Sequence, residues 1–197
     1  DSVLAGVDSI EHGEDLDEEL CQEMVKRGTI LVPTLELLTT WYVEFMPADS
    51  PVEHIRPEVF LHRDVDDVPD VESGQRYARA VVENFMMAKE NGVKIALGSD
   101  SVYSPLTPHG EYSAREFRAM VKAGMSPLEA ITAATSVGAQ ALGMAHRVGS
   151  IEPGKAADLL VVNKDPTADA DVLYDARNIR WIISNGRLAV EDGRLAY

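Results

Sequence analysis

A short apolar segment that ends on an acid constrains the fold of this chain more than any other feature. Residues 93–97 read Val-Lys-Ile-Ala-Leu, and Gly98-Ser99-Asp100 follow directly. A run of this length after a glycine is typical of a buried strand in a parallel sheet. Asp100 would then stand at the carboxyl end of a strand, where barrels of alternating strands and helices carry their active sites. The same residues also favour turns, so a capping or loop role for Asp100 is equally open.

The segments before this strand alternate between the two kinds of regular structure. Residues 7–11 and 29–35 have strand character, and the second run stops near Pro33. Between them, apolar residues recur at helical spacing from a predicted capping box at Asp15 and Glu18 until Gly28. Residues 72–91 predict a further helix that leads into the strand at 93. The order of strand, helix and strand predicts an α/β fold with parallel strands.

Two stretches of this first part are less regular. His12 follows the first strand, and a lone histidine there is more often a hydrogen-bonded structural residue than a metal ligand. Residues 36–71 lack a clear period, which is typical of a lid or a binding loop, and we expect His54 and His62 to be solvated loop residues.

In the second half of the chain, the sequence pattern changes from helical to β-strand near residue 149. Before it, residues 111–123 predict a helix with Phe117 and Met120 on its apolar side, and Ser126-Pro127-Leu128-Glu129 is a strong helix start. After it, residues 159–162 predict a strand, residues 163–178 a polar linker, and Asn185-Gly186 and Asp192-Gly193 two tight turns. The tail is therefore expected to be a small antiparallel β module.

Charge and composition exclude several classes of partner. The net charge of −15 repels nucleic-acid phosphates and anionic membrane surfaces, and no apolar run is long enough to span a bilayer. The single cysteine, Cys21, has no internal disulfide partner. We expect no nucleic-acid partner, no membrane association and a cytoplasmic location.

Four motifs follow one another along the chain. They are Gly6-Val-Asp-Ser-Ile-Glu-His12-Gly13, then Leu97-Gly-Ser-Asp100-Ser101, then Gly124-Met-Ser-Pro-Leu-Glu-Ala-Ile-Thr-Ala-Ala-Thr-Ser136, and Gly149-Ser-Ile-Glu-Pro-Gly-Lys-Ala-Ala-Asp-Leu159. Together they resemble the carboxyl-terminal half of the metal-dependent amidohydrolase superfamily. Each motif alone is weak evidence for a family, but the four motifs occur in the order found in this superfamily, and together they are specific. The chain is most similar to the branch related to imidazolonepropionase that includes Xaa-Pro and Xaa-Arg dipeptidases.

The resemblance implies the carboxyl-terminal part of a (β/α)8 TIM-type barrel plus part of a small β-sandwich domain. Residues 1–148 would supply the last three barrel strands with their helices, and residues 149–197 a β-strand tail of the sandwich.

The resemblance also implies metal-dependent hydrolysis of an amide C–N bond in a dipeptide or an N-acyl amino acid. His12 matches a metal ligand, and Asp100 matches a ligand that also takes a proton from the attacking water. His109 and Ser101 are candidate substrate contacts, with a helix-capping role for His109 equally open. Thr34 and Tyr103 are weaker candidates. Two divalent ions are expected in a complete barrel, with zinc as first choice, although manganese, cobalt and iron suit the same ligands.

The departures from the family pattern are as informative. The family's His-x-His, bridging lysine and further histidine have no counterpart here, and two ligands do not complete a site for a divalent ion. We therefore expect a fragment that is inactive alone and that self-associates or joins a missing half. Two alternatives remain open, namely a cyclic-amide hydrolase like imidazolonepropionase and a non-catalytic remnant.

Overall fold

Parallel strands and helices alternate in the first part of the chain, and antiparallel strands form the tail. The computed structural model describes residues 1–44, 71–101 and 109–196, with the backbone alone at 41–44 and 71–74. The helices are α1 Ser2–Ala5, α2 Glu18–Arg27, α3 Leu35–Glu44, α4 Val71–Glu90, α5 Glu111–Lys122, α6 Pro127–Thr132 and α7 Gly138–Ala141, with a π-helical turn at Ala133–Val137. The strands are β1 Ser9–Glu11, β2 Ile30–Val32, β3 Leu159–Val162, β4 Ile179–Ser184, β5 Arg187–Glu191 and β6 Arg194–Leu195. Two 3₁₀ turns, Ala170–Val172 and Ala176–Asn178, precede β4.

The parallel layer has the order β1, β2, residue 95. Ser9 pairs with Ile30 in parallel register, and Leu31 forms a parallel bridge with Ile95. The bridge consists of two bonds: the Leu31 N–H donates to the Lys94 carbonyl and the Ala96 N–H donates to the Leu31 carbonyl, both at 2.9 Å. All three segments therefore run the same way, and their carboxyl ends lie at one edge. Within the described ranges this layer stays open and does not close into a barrel.

The predicted strand at 93–97 is shorter than expected. Only residue 95 has a strand bridge, because the N–H of Leu97 leaves the layer and donates to the carbonyl of Ala133 in the π turn at 3.1 Å. The segment is nevertheless buried, since Val93, Ile95 and Ala96 are each at most 5% exposed. Burial was thus predicted correctly, whereas the length of regular pairing was not.

Two further local predictions are wrong. The cap of α2 is Asp17, whose carboxylate accepts the Leu20 N–H at 2.7 Å, while Asp15 has a φ of 57° and lies outside the helix. Within the predicted aperiodic stretch 36–71, residues 36–44 are helical, because α3 spans Leu35–Glu44. Residues 45–70, with His54 and His62, lie outside the described residues.

Most other helix predictions are confirmed. Ser126 and Glu129 form the predicted capping box, and α4 and α5 match residues 72–91 and 111–123 within about two residues. The core between α2, α4, α5 and the parallel layer is built from buried apolar side chains, among them Met24, Leu31, Leu35, Phe85, Ile95, Phe117 and Met120. No helix in the described part of the chain is long and apolar enough to cross a bilayer.

The tail is a four-stranded antiparallel sheet of order β3, β4, β5, β6. Both turn predictions are confirmed: Asn185 and Gly186 have φ values of 49° and 76°, and Asp192 and Gly193 have 45° and 76°. Such pairs of positive φ values are those of a type I′ turn, whose twist suits a two-residue hairpin loop.

The predicted polar linker at 163–178 is packed rather than free. Val172 in its first 3₁₀ turn is 2% exposed, and the turn lies against α5. Beside it, the Arg118 guanidinium lies 4.6 Å from the centre of the Tyr174 ring. The linker thereby ties the antiparallel tail to the helix that follows the parallel layer.

Gly149 is sterically required where the connection to the tail begins. Its φ is 94°, and a Cβ there would lie 2.5 Å from Ala139 Cβ and 3.0 Å from the Thr135 carbonyl oxygen. Gly154 has nearly the same φ, 93°, but nothing within 4 Å of its own Cβ position. The two glycines therefore separate steric crowding from backbone strain.

We predict that Gly149→Ala lowers the free energy of unfolding by about 3 kcal/mol, because backbone strain and overpacking add. Gly154→Ala, with strain alone, should lower it by about 1 kcal/mol. Urea unfolding followed by circular dichroism measures both values. Equal losses in the two variants would contradict the steric role of Gly149.

Candidate functional site

Three side chains follow the carboxyl ends of the three parallel segments. His12 comes directly after β1, Thr34 two residues after β2, and Asp100 five residues after the bridge at Ile95. All three adopt left-handed backbone conformations, with φ values of 68°, 48° and 45°. Such conformations are uncommon for residues other than glycine and tend to occur at functional sites. Because the segments are parallel, the three residues share one edge of the layer.

His12 is tied to its neighbour on β2. Its Nδ1 lies 2.6 Å from the hydroxyl oxygen of Thr34, and its backbone N–H donates to the Val32 carbonyl at 2.8 Å. The His12 side chain is half-buried, while Thr34 is only 2% exposed. The contact occupies one ring nitrogen and leaves Nε2 for another partner. Thr34, a weak candidate by sequence, is therefore the residue that orients His12.

Helix α4 contacts the turn that carries His12. The Asn84 side-chain amide donates to the Gly13 carbonyl at 3.4 Å, and the Tyr77 hydroxyl donates to the Glu14 carboxylate. Gly13 itself is close-packed, since a Cβ there would lie 2.6 Å from a methyl carbon of Leu31. The turn is thus held from α4 on one side and from β2 on the other.

Asp100 lies on a segment pressed against β2. A Cβ on Gly98 would collide with the Cγ1 atom of Val32, so only glycine allows this approach. Past Gly98, the Ser99 hydroxyl lies 3.5 Å from the Ser113 hydroxyl on α5. Asp100 is exposed and Ser101 is half-buried. The carboxylate is therefore open to solvent while its backbone is positioned by two neighbouring elements.

His109 lies in the turn before α5 and is exposed. The cap position of that helix is occupied by Gly110 and not by His109. The capping alternative for His109 is therefore wrong, and its substrate role stays a prediction. Tyr103 belongs to residues 102–108, outside the described residues.

A buried acid that sequence reasoning missed lies next to this site. Glu116 on α5 is completely buried, and its two carboxylate oxygens accept the N–H groups of Leu35 at 2.9 Å and Glu36 at 2.7 Å. Burial raises the pKa of Glu116 to about 8; the two amide bonds oppose the shift and the nearby Glu36 carboxylate adds to it. The sequence did contain a sign of this buried acid. Glu116 lies one helical turn from both Tyr112 and Met120, which puts a charged residue on the apolar face of α5.

His12 and Asp100 are of a chemical type that binds divalent ions, but two side chains are too few to complete a metal site. An imidazole nitrogen of His12 and the exposed carboxylate of Asp100 are ligands that zinc and related ions accept. Among residues 1–44, 71–101 and 109–196, however, no group of three or more His, Cys, Asp or Glu side chains is arranged to hold a metal. These residues therefore supply part of a donor set at most.

Comparison with known proteins identifies a family. The model of the amidohydrolase family matches residues 1–189, which is almost the whole chain. This family generally uses divalent metals, and its fold is an α/β fold of the TIM-barrel type. The α/β layer of the present chain agrees with that class.

Three individual proteins are similar to this chain, each over part of its own length. The imidazolonepropionase of Geobacillus kaustophilus is 42% identical over 72 residues, which are 36% of this chain and 17% of the relative. The crystal structure of a Xaa-Pro dipeptidase with bound methionine in its active site is 34% identical with a TM-score of 0.74, covering 96% of this chain and 41% of the other. A prolidase complexed with N-methylphosphonate-L-proline is 28% identical with a TM-score of 0.71 at 96% and 41% coverage. The chain thus spans less than half the length of these relatives.

Proposed function

Because the chain belongs to the amidohydrolase family, we propose that the protein hydrolyses an amide C–N bond in a small substrate with a free carboxylate. A dipeptide or an N-acyl amino acid is the preferred class, since two similar structures are a Xaa-Pro dipeptidase and a prolidase with a proline-containing ligand. The main support from the fold is that His12 and Asp100 follow parallel segments at one edge of the layer.

The proposed chemistry assigns one proton-transfer role to this chain. Asp100 accepts a proton from the attacking water and then donates it to the leaving nitrogen, so that an acid and an amine depart. Its exposure supports this role, because water reaches the carboxylate. His12 would offer Nε2 and Asp100 a carboxylate oxygen to a divalent ion, with zinc as first choice and two ions as the expected number. Such an ion, when bound, supplies carbonyl polarisation and a lower pKa for water.

A second substrate class has its own support. The match to imidazolonepropionase favours a cyclic amide, in which the same bond breaks but the product stays one molecule. Substrate contacts by His109 and Ser101, association with another chain, and a split into residues 1–148 and 149–197 stay predictions.

The test is a substrate panel on the full-length gene product, prepared with zinc, manganese or cobalt. Xaa-Pro dipeptides, Xaa-Arg dipeptides and N-acyl amino acids are assayed beside imidazolonepropionate, and each peptide is paired with its carboxamide to test the need for a free carboxylate. We expect turnover of at least one peptide or N-acyl substrate and much weaker turnover of its carboxamide. Turnover of imidazolonepropionate alone would favour the second class, and no turnover with any metal would favour the non-catalytic alternative.

A further inference from the structure

The amino end of α3 is held from outside its own segment. Leu35 and Glu36 open the helix, and the first amides of a helix have no partner within it. Both N–H groups donate to Glu116, which lies about 80 residues later on α5. Because Glu116 is completely buried, water does not replace these bonds if the side chain is removed. The position of this helix start therefore depends on Glu116.

Thr34 stands immediately before the two amides. Its φ of 48° is a strained value for a β-branched residue, and strain of this kind persists only where the surroundings hold it. Glu116 holds the two following residues, and the Thr34 carbonyl accepts the Leu38 N–H of the first helical turn at 3.1 Å. The hydroxyl of Thr34 is thereby kept 2.6 Å from His12.

We propose that Glu116 is a positioning residue for His12, acting through the amides of Leu35 and Glu36 and the hydroxyl of Thr34. In this arrangement the Thr34 oxygen accepts the Nδ1–H of His12, which leaves Nε2 without a proton. A threonine hydroxyl can accept or donate, so the direction of this bond is part of the proposal, and Nε2 then carries the lone pair that is free to bind a metal ion. The inference concerns the His12 tautomer and rests on the proposed function only for its use in metal binding.

The experiment measures the tautomer of His12 by nitrogen-15 NMR of the metal-free chain, so the readout does not require an active enzyme. We expect wild-type His12 to carry its proton mainly on Nδ1. Thr34→Val, which removes the hydroxyl, should shift the population toward the Nε2–H form. Glu116→Gln should shift it in the same direction, because its NH₂ group opposes one of the two backbone N–H groups.

Glu129→Gln is the matched control. Glu129 also accepts a backbone amide at a helix start, that of Ser126 at 2.7 Å, but this is the start of α6 and not that of α3, which follows Thr34. It should lower stability without changing the His12 tautomer. A wild-type His12 population mainly in the Nε2–H form, or an unchanged tautomer in Glu116→Gln, would overturn the inference.

A second variant and a zinc-binding measurement complete the test. If Glu116→Gln does not fold, Glu116→Asp retains the carboxyl group but is one methylene short, and the same shift is expected. In the full-length product, Glu116→Gln should weaken zinc binding by about 10-fold to 100-fold, the range typical of groups that orient a ligand. A shifted tautomer with unchanged zinc affinity would support the role of Glu116 while contradicting His12 as a ligand, so the two proposals fail separately.

Discussion

Asp100→Asn is expected to lower kcat/KM of the full-length product at least about 10³-fold, because an amide cannot accept the proton of the attacking water. Asparagine has nearly the same shape, and it tolerates the left-handed φ of 45° as well as aspartate does. The loss should therefore arise from chemistry rather than from misfolding. Steady-state kinetics with the best substrate of the panel measures the effect, and thermal unfolding checks the fold.

Asp192→Asn is the matched control for this experiment. Asp192 is also exposed and has the same φ of 45°, but it lies in the turn between β5 and β6. Its variant should retain wild-type kcat/KM within about twofold, as expected for a surface change remote from the reacting atoms. An Asp100→Asn enzyme with more than a tenth of wild-type activity would rule out the proposed role of Asp100.

Stability of the chain should fall as the pH rises from about 5 to 8, in the direction opposite to that of most acidic groups. The unfolded chain loses the Glu116 proton near the ordinary pKa of 4.5, whereas the folded chain keeps it up to about 8. Between these values the unfolded state binds fewer protons, so rising pH favours unfolding. The full change is roughly 3 to 5 kcal/mol for a shift of this size.

Denaturant unfolding at several pH values between 5 and 8 measures this slope. Glu116→Gln removes the titrating group and should abolish most of the slope, although it starts from a lower stability because one amide bond is lost. Glu36, which repels Glu116, and Arg115, whose guanidinium lies 3.8 Å from the Glu36 carboxylate, are unchanged in that variant. The same slope in wild type and variant would show that Glu116 is not its source.

Glu129→Gln provides a control of the opposite sign. Hydrogen bonds from Ser126 lower the pKa of Glu129, so its contribution to stability is present above the ordinary pKa and is lost as the pH falls below it. Its removal should change the acid side of the profile and leave the slope between pH 5 and 8 as in wild type. Both carboxyl groups accept hydrogen bonds from backbone amides, and the largest cause of their opposite pKa shifts is burial for Glu116 and the Ser126 backbone bond for Glu129.

The sequence motifs predicted the candidate site as far as local chemistry allows. Glycine and polar residues after apolar runs indicated that His12 and Asp100 follow strands. In the structure His12 directly follows β1, whereas Asp100 comes five residues after a single bridge at Ile95. The length of the pairing at residues 93–97 was overestimated, since an apolar run does not indicate which acceptors its N–H groups bind. Leu97 donates to Ala133, a partner that no pattern within the run could indicate.

The role of Glu116 could not be predicted from the sequence, for a different reason. A glutamate on the apolar side of a helix was visible in the sequence, but its partners are the amides of Leu35 and Glu36 at separations of 81 and 80 residues. The start of α3 was missed for the same reason, because its cap is supplied by another helix. Periodicity describes one segment at a time and carries no information on such a pair.

The amino-acid sequence by itself determined the alternation of strands and helices, the Ser126 capping box, both tight turns of the tail and the family. Each of these depends on residues within a few positions of one another or on motifs in a shared order. Only the tertiary structure decided that Thr34 orients His12, that Gly98 lies against Val32 and that Glu116 holds the start of α3. These features depend on hydrogen bonds and close contacts between elements, and folding alone brings their partners together.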